Sequence, residues 1–237
     1  MSVFALKIIA CVTMLIDHFG AAIMMPALGD PWDVDIYWLL RGIGRIAFPI
    51  FAYLIAQGCV HTKNIGKYLF RLGLLAIISE PFFSIAFRGA NIDFLRNTNI
   101  FYTLFLGVAA IAICQRIRQI LTGGFGEVIS VFAVVPAMVI AGWLNSDYSF
   151  YGVGIIFLIY IMRPESRMGR SVALSLGMAA LYFDNLNFLI FSLVAVGLIA
   201  LYNSKPGPNS AAIKWGFYFF YPAHIAALIA LRVIFFQ

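Results

Sequence analysis

Charge is what this sequence has least of: Asp, Glu, Lys and Arg make up only 11% of its 237 residues, against 63% hydrophobic ones. A water-soluble domain normally carries about 25% charged residues to cover its surface, so an ordinary soluble globule is excluded. Cysteine is sparse as well. Cys11, Cys59 and Cys114 each lie in or beside an apolar run, odd in number and without CxxC spacing. Such a pattern supports neither a disulfide framework nor a zinc site; these residues are expected to pack, and no metal is expected. Long runs of one charge are missing too. The net charge of +6 is spread over short basic clusters between apolar stretches, with no basic helix and no basic-aromatic alternation, so nucleic acid is not an expected partner. No repeat, heptad or low-complexity tract stands out.

What is present in quantity is apolar length. Mean hydropathy is +0.95, and apolar stretches recur from one end of the chain to the other, leaving no room for an appended soluble domain. The expectation is an all-α fold, a polytopic transmembrane helix bundle forming a single integral-membrane domain over 1–237, with the lipid bilayer as its solvent. The first stretch, Val3 to Met25, is too long for a cleavable signal segment and has no small-residue cleavage pattern after it, so it counts as the first span. At roughly 20 apolar residues per crossing, about nine spans (eight to ten) are expected: 3–25, 36–58, 67–88, 99–115, 125–143, 148–162, 170–183, 185–203 and 215–236. The sixth and seventh are short, and either could be a re-entrant segment.

Cytoplasmic loops hold the excess of Lys and Arg. Even-numbered loops contain Lys63, Lys67, Arg116, Arg118, Arg163, Arg167, Arg170, Lys205 and Lys214, whereas the odd-numbered ones contain Arg88 and Arg96 among Asp30, Asp33, Asp35, Asp93, Asp147 and Asp184. Nine basic residues against two predict a cytoplasmic N-terminus and an external C-terminus. The linker from Asn203 to Ser210, with Lys-Pro-Gly-Pro inside it, is then a cytoplasmic loop.

An ionisable side chain at mid-bilayer costs roughly 2.5–3.5 kcal/mol on insertion scales, which makes each one a candidate functional residue. The first span carries Asp17 and His18, the second Arg41 and Arg45, the last His224; Glu80, beside Pro81 in the third, is a weaker case. In the orientation above, Asp17, His18, Arg45 and His224 fall between the middle and the outer half of the bilayer and can form one cluster. Adjacent helical positions differ by about 100°, so Asp17 and His18 need separate partners. Arg41 and Arg45, at i and i+4, share a helix face, and Arg45 is the expected counter-ion of Asp17; the plainer role for such a pair is to lock two helices together.

Lys7 and His18 are eleven positions apart, about 20° past three full turns and about 16 Å of rise, which puts them on one face. A cation at the cytoplasmic end and an imidazole three turns deeper suit an extended ligand with phosphates at one end and a reactive group at the other, the shape of a coenzyme A thioester. Snorkelling is the simpler alternative for Lys7. His61, in the polar loop His61-Thr-Lys-Asn64, is either a substrate contact or a solvated side chain. Tyr148, Tyr151 and Tyr221 are expected to pack or to anchor at the interface, and Gly152 and Gly154 to permit close helix approach.

Several of these residues lie in blocks that resemble a known family. Leu15-Ile-Asp-His18, Gly44-Arg-Ile-Ala-Phe-Pro-Ile-Phe-Ala52, Asn99-Ile-Phe-Tyr102, Asp147-Tyr-Ser-Phe-Tyr-Gly152 and Phe220-Tyr-Pro-Ala-His224 resemble, in order along the whole chain, the successive motifs of the TraX family. That family includes the membrane acetylase that caps the N-terminus of the conjugative F pilin with acetyl from acetyl-CoA. The Lys7-to-His18 spacing also resembles the basic-x10-His signature in the first span of the wider acyltransferase-3 group, whose members acylate cell-surface sugars. That group spaces its second arginine motif as Arg-x-x-Arg, whereas Arg41-Gly-Ile-Gly-Arg45 here has three residues between the arginines.

The resemblance implies an acetyltransferase of the bacterial cytoplasmic (inner) membrane. It would draw acetyl-CoA from the cytoplasm as acyl-donor co-substrate and modify an amine or hydroxyl on a pilin-like protein or a surface glycan acceptor. In this reading Lys7, Arg41, His61 and Asn99 bind the donor, and His18 is the general base. Asp17 and Arg45 fix the local charge, Arg45 or Asn99 faces the developing oxyanion, and His224 orients the acceptor. An acetyl-imidazole on His18 is an open variant. The rival class is a transporter or channel using the same buried Asp, His and Arg residues as an ion or proton path; inverted repeats with paired broken helices would mark it, and no such symmetry is seen in the sequence. A third possibility is a non-catalytic component of a pilus or envelope machine.

Overall fold

A computed structural model describes residues 1–25, 32–89, 92–208 and 210–235; Asp30, the side chain of Asp33 and the C-terminal Gln237, used above for topology, lie outside the described residues. Backbone polar groups in a lipid core have no water to bond, so helices that satisfy them internally are the natural solution. The described residues form helices and no strands: α1 Val3–Phe19, continued by a π-helical turn Gly20–Met24; α2 Trp32–Gly44; α3 Ala47–His61; α4 Ile65–Phe87; α5 Ile100–Ile120; α6 Gly124–Val131; α7 Val134–Trp143; α8 Ser149–Ile161; α9 Arg167–Leu181; α10 Leu186–Ala200; α11 Ala211–Phe235. Each stretch expected to span is mainly helical among the described residues. Among the described residues six segments are long and apolar enough to cross a membrane: Val3–Met24, Val34–His61, Ile65–Phe87, Ile100–Ile120, Gly124–Trp143 and Ala211–Phe235. The other three expected spans are the shorter helices α8, α9 and α10, of 13, 15 and 15 residues.

The second span is interrupted where the sequence suggested continuity. The Arg45 amide donates to the Gly42 carbonyl and the Ile46 amide to Ile43, three residues back instead of four, so α2 stops and α3 restarts at Ala47. Pro49 follows in the first turn of α3, where a missing amide is tolerated.

The chain divides into two compact units, one formed by Met1–Phe51, Ser79–Ile92 and Tyr182–Gln237, the other by Ala52–Ile78 and Asp93–Leu181. In the second unit α8 packs against α5 and α9, and Gly107 of α5 permits the approach: a Cβ there would stand 2.8 Å from Ile156 Cδ1.

In the first unit α1 packs against α2 and α11. The segment before α11 lies along the N-terminus: the Met1 ammonium donates to Leu201 O (2.6 Å) and the Asn203 amide to Met1 O (2.9 Å). The Val3 and Phe4 amides donate to Lys205 O (2.9 Å) and Pro206 O (3.2 Å). Two of the amides that a helix start leaves without intrahelical partners are thereby satisfied, and Ser2 Oγ caps a third, from Ala5. Moving along α1, Phe4 meets Phe217, His18 meets His224, and Ala22 and Ile23 meet Leu228. The partners advance together, so α1 and α11 run parallel. If both cross the bilayer, they cross it in the same direction.

Residues 201–206 and the N-terminus therefore share a side. A reporter inserted at Pro206 should read as cytoplasmic and one fused after Gln237 as external; the same side for both would show that α11 does not cross.

Candidate functional site

Asp17, in the last turn of α1, is the electrostatic centre of the first unit. Arg41 Nη1 donates to its Oδ2 at 2.9 Å and Arg45 Nη2 to its Oδ1 at 2.7 Å, so each carboxylate oxygen has its own guanidinium. The sequence suggested Arg45 as the partner; Arg41 joins it, because i and i+4 positions of one helix present side by side. Arg45 is held from two more directions. Its Nε donates to Arg41 O at 3.0 Å, a carbonyl whose usual helical partner, the Arg45 amide, has turned to Gly42. Its guanidinium also lies 5.1 Å over the Phe188 ring. The side chains of Asp17 and Arg45 are 12% and 11% exposed, that of Arg41 24%. One carboxylate between two guanidiniums leaves the group with a net positive charge.

Close backbone approach makes the clamp possible. A Cβ on Gly44 would collide with the Cβ and carboxylate of Asp17, and one on Gly20 would press on Leu40 Cβ at 3.3 Å. The π-helical turn Gly20–Met24 begins three residues after Asp17; such turns are frequent at functional sites.

His18 projects from another side of α1 toward α11. Its Nδ1 is 2.7 Å from His224 Nε2, and the rings are 11° from parallel with centroids 4.9 Å apart. That separation is about the N···N distance plus the two ring radii, so the imidazoles meet edge to edge, nearly coplanar, with the bond in the ring plane. They are not stacked face to face. His224 Nδ1 is 2.7 Å from Phe220 O, one turn back on α11. Phe87 and Tyr221 enclose His18, at centroid distances of 5.1 and 5.7 Å. Nε2 of His18 has no hydrogen-bond partner among the described residues.

Lys7 also meets α11: its ammonium is 5.2 Å over the Phe217 ring, and Lys214 lies in the first turn of that helix, three residues before Phe217. The other two candidates belong to the second unit. His61 ends α3 exposed. Asn99 is fully buried; its Oδ1 caps α5 by accepting from Phe101 N (2.9 Å), and its Nδ2 donates to Ala76 O (2.8 Å). The motifs beginning at Asn99 and Asp147 are tied together there. The Asp147 amide donates to Thr98 O at 2.9 Å, and Thr103 bonds both Ser146 Oγ and Asp147 O.

Sequence reasoning missed three participants. Arg88, a loop residue by its position in the sequence, turns back to pair with the fully buried Glu80. Arg232 donates to Ile85 O (2.9 Å) and Ala86 O (3.0 Å), satisfying carbonyls at the end of α4 that lack helical partners. Tyr221 stands edge-on to both histidines; its position three residues before His224, on one helix face, was the available signal. Among the described residues no three His, Cys, Asp or Glu side chains come together to hold a metal.

The five sequence blocks thus resolve into two built clusters, and they span the chain. The family model described as TraX protein matches residues 2–232. The chain belongs to the TraX family. Among curated proteins it is similar to the probable fimbrial assembly protein FimC, serogroup H1, of Dichelobacter nodosus, at 28% identity over 98% of this chain and 96% of the relative's length. No solved structure matches it.

Two stability outcomes follow from the clamp. In detergent, Gly44→Ala should lower stability by about 1–3 kcal/mol through overpacking. Gly216→Ala, where an added Cβ meets nothing within 4 Å, should be neutral or gain up to about 1 kcal/mol of helix propensity. Asp17→Asn and Arg45→Met should each destabilise by stranding buried charge, and the double variant should cost less than their sum by about 0.5–3 kcal/mol. Strict additivity in thermal unfolding would refute the pairing.

Proposed function

We propose that this protein is an integral-membrane acetyltransferase of the bacterial inner membrane that moves acetyl from cytoplasmic acetyl-CoA to an amine of a pilin-like membrane protein. One observation carries the reading. A buried imidazole, with one nitrogen tied to a second histidine and the other without a partner, stands next in sequence to a carboxylate neutralised twice over. Family membership and the fimbrial-assembly description of the relative support the choice of acceptor.

The residues present suit the donor. Lys7 and Lys214 concentrate positive charge at the start of α1 and α11, where phosphates would be held as point charges. His18 lies eleven residues further along α1, about 16 Å, on the same α11-facing side. Acetyl-CoA supplies an acyl group activated as a thioester. His18 takes the proton of the attacking nitrogen as the new C–N bond forms, and hands it to the departing thiolate as the C–S bond breaks, so no proton is gained or lost overall. The surplus positive charge of the Asp17–Arg41–Arg45 group opposes the negative charge that develops on the carbonyl oxygen, and Arg45, fixed on three sides, needs no reorganisation to do so.

Lys7→Met should raise the KM for acetyl-CoA and leave kcat near normal, because a phosphate contact contributes mainly uniform binding. His18→Ala should fold and bind coenzyme A while kcat falls roughly 10²–10⁴-fold, the usual contribution of a positioned general base. Purified protein, acetyl-labelled coenzyme A and a pilin acceptor make the test. Normal transfer by folded His18→Ala would sink the mechanism, and label appearing on no acceptor with the intact protein would favour a non-catalytic assembly role.

A further inference from the structure

We infer that His224 is a positioning residue: it holds His18 in the tautomer that carries its proton on Nδ1, leaving Nε2 of His18 bare. The direction of the chain is forced from one end. Phe220 O can only accept a hydrogen bond, so the 2.7 Å contact with His224 Nδ1 requires a proton on that nitrogen. A neutral His224 then has a lone pair on Nε2. The 2.7 Å in-plane contact between His224 Nε2 and His18 Nδ1 therefore needs its proton from His18 Nδ1, because two lone pairs cannot face each other at that distance. A neutral His18 protonated at Nδ1 has its lone pair on Nε2.

Doubly protonated His224 would reverse the second bond. The surroundings oppose it: the Asp17–Arg41–Arg45 group already carries net positive charge, and His224 is buried, its ring among those of Phe220, Tyr221 and His18. Among the described residues no carboxylate pairs with His224, so a further cation there would be uncompensated.

The arrangement matters because imidazole free in water favours the opposite tautomer, with the proton on Nε2. Left to itself His18 would present a donor where a base is needed. His224 thus does for His18 what a carboxylate does in a hydrolase triad, fixing tautomer and ring orientation, but through a neutral nitrogen anchored to a main-chain carbonyl. When His18 takes a proton at Nε2, its Nδ1–H bond to His224 becomes charge-assisted and strengthens. The tautomer assignment stands independently of the chemistry; only the use of Nε2 as base rests on the acetyltransferase reading.

The chain has three histidines, so ¹⁵N-histidine labelling gives a spectrum that His61→Ala and His18→Ala can assign. Intact protein in lipid should show His18 and His224 both protonated at Nδ1 and bare at Nε2. In His224→Ala the His18 signals should change to the Nε2-protonated form, and acetyl transfer should fall roughly 10²–10⁴-fold, as for a base held in the wrong tautomer, with the KM for acetyl-CoA unchanged. His224→Gln, whose Oε1 can accept from His18 Nδ1, should restore the tautomer and recover most of the rate. An Nε2-protonated His18 in the intact protein, which needs no variant to observe, overturns the inference; so does an unchanged His18 tautomer in folded His224→Ala. The expected spectra with normal transfer in both His18→Ala and His224→Ala would uphold the tautomer lock and refute the acetyltransferase mechanism.

Discussion

The clamp of two guanidiniums on the Asp17 carboxylate is the interaction on which the first unit is built. An unpaired carboxylate in an apolar span is costly, and pairing it with side chains from the next helix dictates several features of the backbone. Gly44 must lack a Cβ where it passes Asp17, and Gly20 lets the same two helices stay close one turn later. The amides of Arg45 and Ile46 bond three residues back, so α2 ends where the clamp is made. The carbonyl this leaves at Arg41 is taken by Arg45 Nε. The break is thus satisfied from within, the condition under which irregular backbone is tolerated at membrane depth.

Fixing Asp17 also fixes His18. Successive residues on a helix point about 100° apart, so a side chain directed at α2 sends its neighbour toward α11. The N-terminal zipper with residues 201–206 sets the parallel alignment of α1 and α11, and that alignment brings His18 level with His224 and Lys7 level with Phe217. The ends of the proposed donor site are therefore placed by main-chain hydrogen bonds near one end of α1 and by an ion pair near the other. Arg232, bonded to the end of α4, ties α11 to the helix whose Phe87 covers His18.

Most of this was readable in the residues, for definite reasons. Helical spans follow from apolar length, and the need for separate partners for Asp17 and His18 follows from helix geometry; neither depends on tertiary detail. The break at Arg45 was not readable, since Gly44-Arg-Ile-Ala-Phe-Pro continues an apolar helical pattern and only the competition for the Arg41 carbonyl reveals it. The resemblance implies a donor contact for Arg41, whereas its bond to Asp17 depends on how closely α1 and α2 pack. Position alone puts Arg88 in a loop, whereas its long side chain reaches back to Glu80. Asn99 was legible as a motif residue, but its capping of α5 and its bond to Ala76 O emerge only with the fold.

The partner of His18 shows how the solvent shapes the site. A carboxylate is the common orienter of a catalytic imidazole, and Asp17 is the next residue in the chain. Here the guanidiniums engage it, and helix geometry points it away. A second carboxylate beside His18 would add another charge to an apolar span, at roughly 2.5–3.5 kcal/mol on insertion scales. A neutral imidazole can accept the same Nδ1–H bond without that cost. Its own orientation comes from the main-chain carbonyl of Phe220, four residues back on its own helix. The cluster therefore separates two tasks that a soluble triad often joins: charge is concentrated in the arginine clamp, and proton direction is set by a chain of neutral groups.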